Sequence, residues 1–255
     1  MRRVFITGAS SGIGAALARR YAGEDCVLGL VARGKSALQA LASSLASPAD
    51  IFPADVRDSA AMANAANEFM ARHGCPDIVI ANAGVSVGTL TELPEDLAAF
   101  KDVLDINVLG MVNTFQPFIT AMRACGRGRL VGIASVAGYR GLPGASAYSA
   151  SKAAAISYLE SLRVELRASG VKVITICPGY IATPMTAGNP YPMPFMLSAD
   201  AAARLMADII EQEKTFAVIP WQMAIVARVL MLLPNWLFDR AFANAPRKPR
   251  LPRTS

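Results

Sequence analysis

Histidine is nearly absent. The 255-residue chain has one, His73, and four cysteines, Cys26, Cys75, Cys125 and Cys177, spread along the sequence with no CxxC pair. That scarcity argues against a zinc centre and against a disulfide framework, and reduced thiols are the expectation. His73 follows a helical stretch and precedes Gly74, so it reads as a cation at a helix C-terminus and not as a catalytic imidazole. The N-terminus, MRRVFITGAS, lacks the apolar stretch of a secretory signal. A cytoplasmic protein is expected. No internal repeat, low-complexity block or interdomain linker breaks the chain. A basic stripe interleaved with aromatics is also missing, which argues against a nucleic-acid partner.

What is present suits a single α/β domain. Hydrophobic residues make up 53% of the chain and charged residues 17%, enough apolar surface for a sizeable core. Strand-like runs at 4–7, 26–32, 50–56, 77–84, 129–135, 171–178 and 216–220 alternate with helical segments. The runs are apolar without a polar/apolar alternation, as in strands covered on both faces. Alternation with helices implies βαβ units and a parallel sheet of about seven strands. The fold class is therefore α/β, a single-domain doubly wound Rossmann fold. Pro53 in the third run suits an edge position. Residues 1–220 carry this domain, and 221–255 extend it as an apolar helix and a proline-broken basic tail. The net charge of +6 owes much to that tail. Arg247, Lys248, Arg250 and Arg253 lie in APRKPRLPRTS, which is expected to be mobile.

The first strand runs into TGASSGIG, residues 7–14. Glycine at 8, 12 and 14 permits a tight turn and close approach of backbone N–H groups to a pyrophosphate at a helix N-terminus. The context, strand before and helix after, is the one such a loop requires. Its Gly-x-x-x-Gly-x-Gly spacing resembles that of the short-chain dehydrogenase/reductase family, and the resemblance extends from the first strand to the strand before Pro220. The family's motifs recur in order as Asp55-Val56, Asn82-Ala83-Gly84, a Tyr148-x-x-x-Lys152 pair with Ser135 thirteen residues upstream, and PGYIAT at 178–183.

The resemblance implies a nicotinamide cofactor held by Gly8, Ser10, Ser11, Gly12, Ile13, Gly14, Arg33, Asp55, Val56, Asn82, Ala83, Gly84, Tyr148, Lys152, Pro178, Gly179, Ile181 and Thr183. Asp55 and Val56 would contact the adenine, and 178–183 would lie along the nicotinamide. An acidic residue that would bind ribose hydroxyls is missing after the second strand; Arg33 stands there, with Lys35 nearby. A guanidinium pairs with a 2′-phosphate, so the expected cofactor is NADP(H). The resemblance also implies a catalytic tetrad of Asn107, Ser135, Tyr148 and Lys152.

Residues four apart on a helix share a face, so Tyr148 and Lys152 can reach one crevice. A free phenol has a pKa of about 10, and a neighbouring ammonium is expected to lower it. Tyr148 would be the general acid/base, Ser135 a donor to the substrate oxygen, Lys152 tuner and ribose anchor, and Asn107 the holder of a water behind the lysine. A carbonyl reductase acting on an apolar ketone or secondary alcohol is the implied activity. The alternatives weighed are an idle NADP(H)-binding sensor and, with a different glycine spacing, an extended-type epimerase or dehydratase. Small residues around Tyr148 suggest packing against another subunit in a homodimer or homotetramer. PMTAGNPYPMPFML after Thr183 reads as an apolar lid. WQMAIVARVLMLLPNWLFDRAFANAP, from Trp221, is expected to be a core or oligomer-interface helix, with membrane-surface contact as the alternative.

Overall fold

In the computed structural model, which describes residues 1–23 and 25–250, the unalternated apolar runs become a sheet buried on both faces. The strands are β1 (Arg2–Thr7), β2 (Cys26–Ala32), β3 (Ala49–Pro53), β4 (Ile78–Ala81), β5 (Gly128–Ile133) and β6 (Val171–Pro178). Two short strands, β7 (Ile181–Ala182) and β8 (Leu197–Ser198), pair only with each other, and β9 (Phe216–Ile219) closes the main sheet. All seven main strands run parallel in the order β3-β2-β1-β4-β5-β6-β9. Pro53 does end the edge strand β3.

Between the strands lie α1 (Gly12–Ala22), α2 (Lys35–Ser43), α3 (Ser59–His73), α4 (Asp96–Leu104), α5 (Gly110–Cys125), α6 (Ser146–Glu165) and α7 (Ala199–Glu211). Successive strand residues feed opposite cores, because side chains alternate across a pleated sheet. Val4, Ile6, Ile78, Ile80, Ile174 and Ile176 pack towards α1, α2 and α7. Phe5, Val79, Leu130 and Val173 pack towards α3, α5 and α6. Phe5, Phe52, Phe69 and Phe118 form a cluster with centroids 4.9–6.4 Å apart, edge-to-face except for the tilted Phe5–Phe52 pair. Gly29 leaves room for it: a β-carbon there would fall 2.5 Å from Phe5.

The strand order reverses between β1 and β4. In open α/β sheets, the carboxyl ends of the strands at such a switch point border the ligand crevice. The expected site motifs, 7–14 and 82–84, follow these two strands.

The expectation about the tail is corrected. The small residues of α6 divide: Ala147, Ser149, Ser151 and Ala155 are buried, with Gly138 packed so closely that a β-carbon would lie 2.7 Å from the Lys152 carbonyl carbon, while Ala150, Ala153, Ala154 and Ser157 are exposed. The basic tail, up to Arg250, is not loose. Pro249 O accepts a 2.9 Å hydrogen bond from Gly88 N, and Arg250 grips the Asp96 carboxylate through Nε and Nη2 at 2.8–3.0 Å. The sequence gives no local sign of this, because the tail's partners lie some 150 residues away. Arg253 is outside the described residues.

The segment from Trp221 forms two helices, α8 (Trp221–Leu232) and α9 (Asn235–Phe242), bent by 119°. No single helix among the described residues is long and apolar enough to cross a membrane. Only Met223 and Ala227 of α8 are buried, so of the two expected roles, core helix or oligomer-interface helix, the core one does not hold; Trp221, Leu232 and Trp236 are largely exposed.

Candidate functional site

Thr7 ends β1 with its hydroxyl buried, and that hydroxyl accepts from the N–H groups of both Asn82 and Ala83, at 3.2 and 3.3 Å. Asn82 replies through Nδ2 to the carbonyls of Thr7 (3.0 Å) and Gly8 (3.3 Å). The loop after β1 and the turn after β4 are thereby fastened together. Glycine is required at two points of this joint. Gly8 adopts φ +66, and its absent β-carbon would sit 2.8 Å from Ala83 Cα. At Gly14 it would lie 2.2 Å from Gly8 O.

The helix that follows, α1, begins without a side-chain cap: the Ser11 hydroxyl makes no bond to the first turn. Its first N–H groups therefore face the crevice at the positive end of the helix dipole, a ready anion site. The bare glycine cradle and this open helix end fit a pyrophosphate. The crevice has a volume of about 430 Å³ and is lined by every position expected to hold a dinucleotide except Gly14. Gly14 acts from beneath, through the close packing just described. The cleft also takes in Val85, Ile106, Ile133, Ala134, Met185 and Thr186, side chains without a motif, which only the tertiary fold brings here.

At one end Arg33 is exposed and lines the cleft, and its guanidinium has no ion-pair partner among the described residues. Asp55 faces the same end, but its carboxylate is held by Arg57 at 2.7 Å. That hydrogen bond, and lesser attraction from Arg57 and Arg33, keep its pKa below the usual carboxylate value despite partial burial. The Asp55 carboxylate is thus already paired with Arg57. Lys35 opens α2 and does not line the cleft.

At the other end the tetrad converges, in part. Ser135 follows β5, and its Oγ accepts from Ala137 N at 3.1 Å. Tyr148 and Lys152 project from the first turns of α6 into the cleft, with the ammonium 5.9 Å from the phenol ring centroid. Lys152 Nζ donates to Ile133 O at 2.8 Å. Asn107 does not touch the cleft. It sits in a π-helical turn, Asp105–Leu109, between α4 and α5, a local irregularity often found at functional sites. Its amide accepts from Val85 N (2.8 Å) and donates to Val85 O (3.0 Å) and Ser151 Oγ (2.9 Å). Both amide hydrogens are thus committed to protein, and the side chain clamps the 82–85 turn onto α6.

The expected lowering of the tyrosine is not the direction found in the protein by itself. Burial pushes the Tyr148 phenol up, opposed by a hydrogen bond from Ser135. Burial also pulls the Lys152 ammonium down to about 8. Desolvation is the largest cause for both groups, because both are enclosed. The thiol of Cys177 is likewise pushed up by burial, to about 12, despite the nearby Lys152.

Beyond Tyr148 lies a second cavity of about 290 Å³ that shares Ser135, Tyr148, Gly179, Met185 and Thr186 with the cleft. Leu142, Pro143, Tyr180, Tyr191 and Phe242 give it apolar walls, and the 184–196 loop forms one side, as its sequence suggested. Lys248 of the basic tail also lines it; sequence reasoning missed this residue by treating the tail as loose. Elsewhere, His73 ends α3, and its Nε2 lies 2.8 Å from an Asp50 carboxylate oxygen. Cys75 and Cys125 turn out to be neighbours: burial and a hydrogen bond with Cys125 push Cys75 up to about 11.

Residues 2–191 match the model of the short chain dehydrogenase family. An uncharacterised oxidoreductase of Myxococcus xanthus is 38% identical over 243 residues, covering 94% of this chain and 96% of that one. The cis-4-hydroxycyclohexanecarboxylate dehydrogenase of Sinomonas cyclohexanicum is 34% identical over 191 residues, 74% of this chain and 77% of its own. Among solved structures, an alcohol dehydrogenase from the archaeon Thermococcus sibiricus, complexed with 5-hydroxy-NADP, superposes with a TM-score of 0.77. It is 24% identical over 86% of this chain and 96% of that one, a likeness of fold. The chain belongs to the short-chain dehydrogenase/reductase family and is an oxidoreductase.

The depressed lysine has a measurable consequence. A buried ammonium whose pKa falls from 10.5 to about 8 costs folding stability in full below pH 8. The cost fades as pH rises from 8 towards 10.5, where the unfolded chain loses the same proton. Lys152→Met removes it, so the variant is expected to be more stable than the parent at pH 7, by up to ~3 kcal/mol at about 1.4 kcal/mol per pKa unit. Urea unfolding of both proteins at pH 7 and pH 10 checks this: the gap should shrink at the higher pH, and a pH-independent gap contradicts it.

Proposed function

We propose that the protein is an NADP(H)-dependent oxidoreductase interconverting a ketone and a secondary alcohol, working as a carbonyl reductase on a small apolar substrate. The observation that carries this reading is the meeting of the two cavities at Ser135 and Tyr148. A dinucleotide filling the first brings its reactive end to the wall of the second, where two hydroxyl groups face a substrate oxygen. The similarity to a dehydrogenase named for a hydroxycyclohexane substrate supports a secondary alcohol or its ketone. A sensor without catalysis would have no use for that apolar chamber.

The residues divide the work. Backbone N–H groups of 8–13 would hold the pyrophosphate, Arg33 the 2′-phosphate, and Lys152 the nicotinamide ribose. When bound, the nicotinamide supplies or accepts the hydride. Tyr148 Oη gives its proton to the developing alkoxide oxygen, while Ser135 Oγ donates a second hydrogen bond to the same atom. Burial keeps the phenol protonated at neutral pH, which suits reduction. In the reverse direction Tyr148 must become phenolate, which the positive charge of Lys152 favours. Asn107 maintains the spacing between the 82–85 turn and α6. A homodimer or homotetramer belongs to this reading, since Ala153, Ala154 and Ser157 remain exposed on α6.

Two variants test it. Tyr148→Phe should retain NADPH binding, followed by fluorescence titration, and lose about 10²- to 10⁴-fold in kcat, the usual weight of a general acid; turnover within a few-fold of the parent refutes the role. Arg33→Ala should lower kcat/KM with NADPH by about 10- to 100-fold while leaving NADH nearly unchanged, the loss of one charge-assisted contact. An equal effect on both cofactors, or a parent that prefers NADH, refutes the NADP(H) assignment.

A further inference from the structure

The chamber beside Tyr148 has apolar walls interrupted by hydroxyl and amide groups, and it carries charge at one point. Among the described residues that line it, Lys248 alone is charged. It comes from the tail that crosses the chamber mouth, and the tail is held there by contacts on both sides of the lysine. Pro249 O takes the Gly88 N–H at 2.9 Å. Arg250 binds Asp96 with two nitrogens and reaches Glu95 at 3.4 Å. On the other side, Arg247 packs on Gly144, where a β-carbon would lie 2.8 Å from its own Cβ. Gly88 allows equal intimacy, since a β-carbon there would meet Lys248 O at 2.2 Å. The backbone of 247–250 is thus seated in two glycine notches, which fixes where the lysine side chain starts.

The ammonium of Lys248 lies 6.0 Å from the Tyr148 ring centroid and makes one long contact, 3.4 Å, to Met185 O. No carboxylate pairs with it among the described residues, although Arg250, two positions on, has two acidic neighbours. Removal from water pulls its pKa below the ordinary lysine value, as for a cation lacking a counter-ion. A half-buried ammonium with one protein acceptor and no carboxylate beside it among the described residues can still donate to a ligand in the chamber. An anionic ligand would pair with it, and the charge-assisted bond formed away from water is among the stronger kinds.

We propose that Lys248 is a specificity residue that binds a carboxylate on the substrate, so that the enzyme acts on small oxo acids or hydroxy acids with an apolar body between the two polar ends. This rests on the reductase reading above and sharpens it. The carbonyl meets Ser135 and Tyr148, the hydrocarbon frame meets Leu142, Pro143, Tyr191 and Phe242, and the carboxylate meets Lys248. A chamber of about 290 Å³ is at the small end of ligand sites, which suits a free acid of modest size.

Matched pairs of acid and methyl ester test this: 4-oxocyclohexanecarboxylate, 4-acetylbenzoate and 6-oxoheptanoate, each with its ester, assayed with NADPH and NADH on the full chain. The acid of at least one pair should exceed its ester by tenfold or more in kcat/KM. Lys248→Met should remove that preference, mainly by raising KM for the acid about 10- to 100-fold, so that the acid-to-ester ratio of kcat/KM falls towards one. Lys248→Arg should retain it, and circular dichroism establishes that both variants fold. Esters turned over as well as acids, or a Lys248→Met variant that loses acid and ester activity equally while folded, would overturn the role of Lys248 and leave the reductase reading intact. Turnover of none of the six compounds by a protein that binds NADPH would count against both.

Discussion

Thr7 and Asn82 sit at the ends of the two central strands, and the four hydrogen bonds between their segments set the position of everything else in the site. They hold the glycine loop against the turn after β4, so that the crevice of the open sheet has a fixed floor. Gly8 and Gly14 are the geometric cost of that joint, because any β-carbon would occupy space used by backbone. Asn107 extends the same network one layer deeper, tying Val85 to Ser151 and hence the turn to α6. The helix bearing Tyr148 and Lys152 is in this way indexed to the loop that receives a pyrophosphate.

Burial gives the two large polar side chains of α6 opposed tendencies. The phenol becomes harder to ionise and the ammonium easier to neutralise, which places both closer to uncharged forms than solvent would. Each tendency follows from the low polarity that also makes hydrogen bonds to a developing oxyanion effective. The same physics applies to Lys248 on the opposite side of the chamber.

The sequence displayed the parallel sheet well, because strands buried on both faces leave continuous apolar runs that no helix-facing pattern imitates. The edge position of Pro53 and the glycine loop could be read for similar local reasons. Ser135, Tyr148 and Lys152 were legible through their order and spacing, and they do meet in the cleft. Asn107 was identified by motif, but its clamp on Val85 and Ser151 depends on a π-helical turn with no evident sequence sign. For Tyr148 the attraction of a neighbouring charge is visible in a sequence, whereas the desolvation that raises the phenol in the protein by itself is not. Lys248 was hidden for a different reason: proline and arginine in a terminal segment suggest disorder, and the notches at Gly88 and Gly144 that seat it become apparent only when distant loops are brought together.

The central claim is that the dinucleotide cleft and the apolar chamber share one wall made by Ser135 and Tyr148. A crystal structure of the complex with NADP⁺ tests it most directly. The account predicts the nicotinamide ring at that wall, within reach of the Tyr148 hydroxyl, and the adenosine phosphate against Arg33. A ring projecting into solvent, or a Tyr148 hydroxyl directed away from it, would contradict the account.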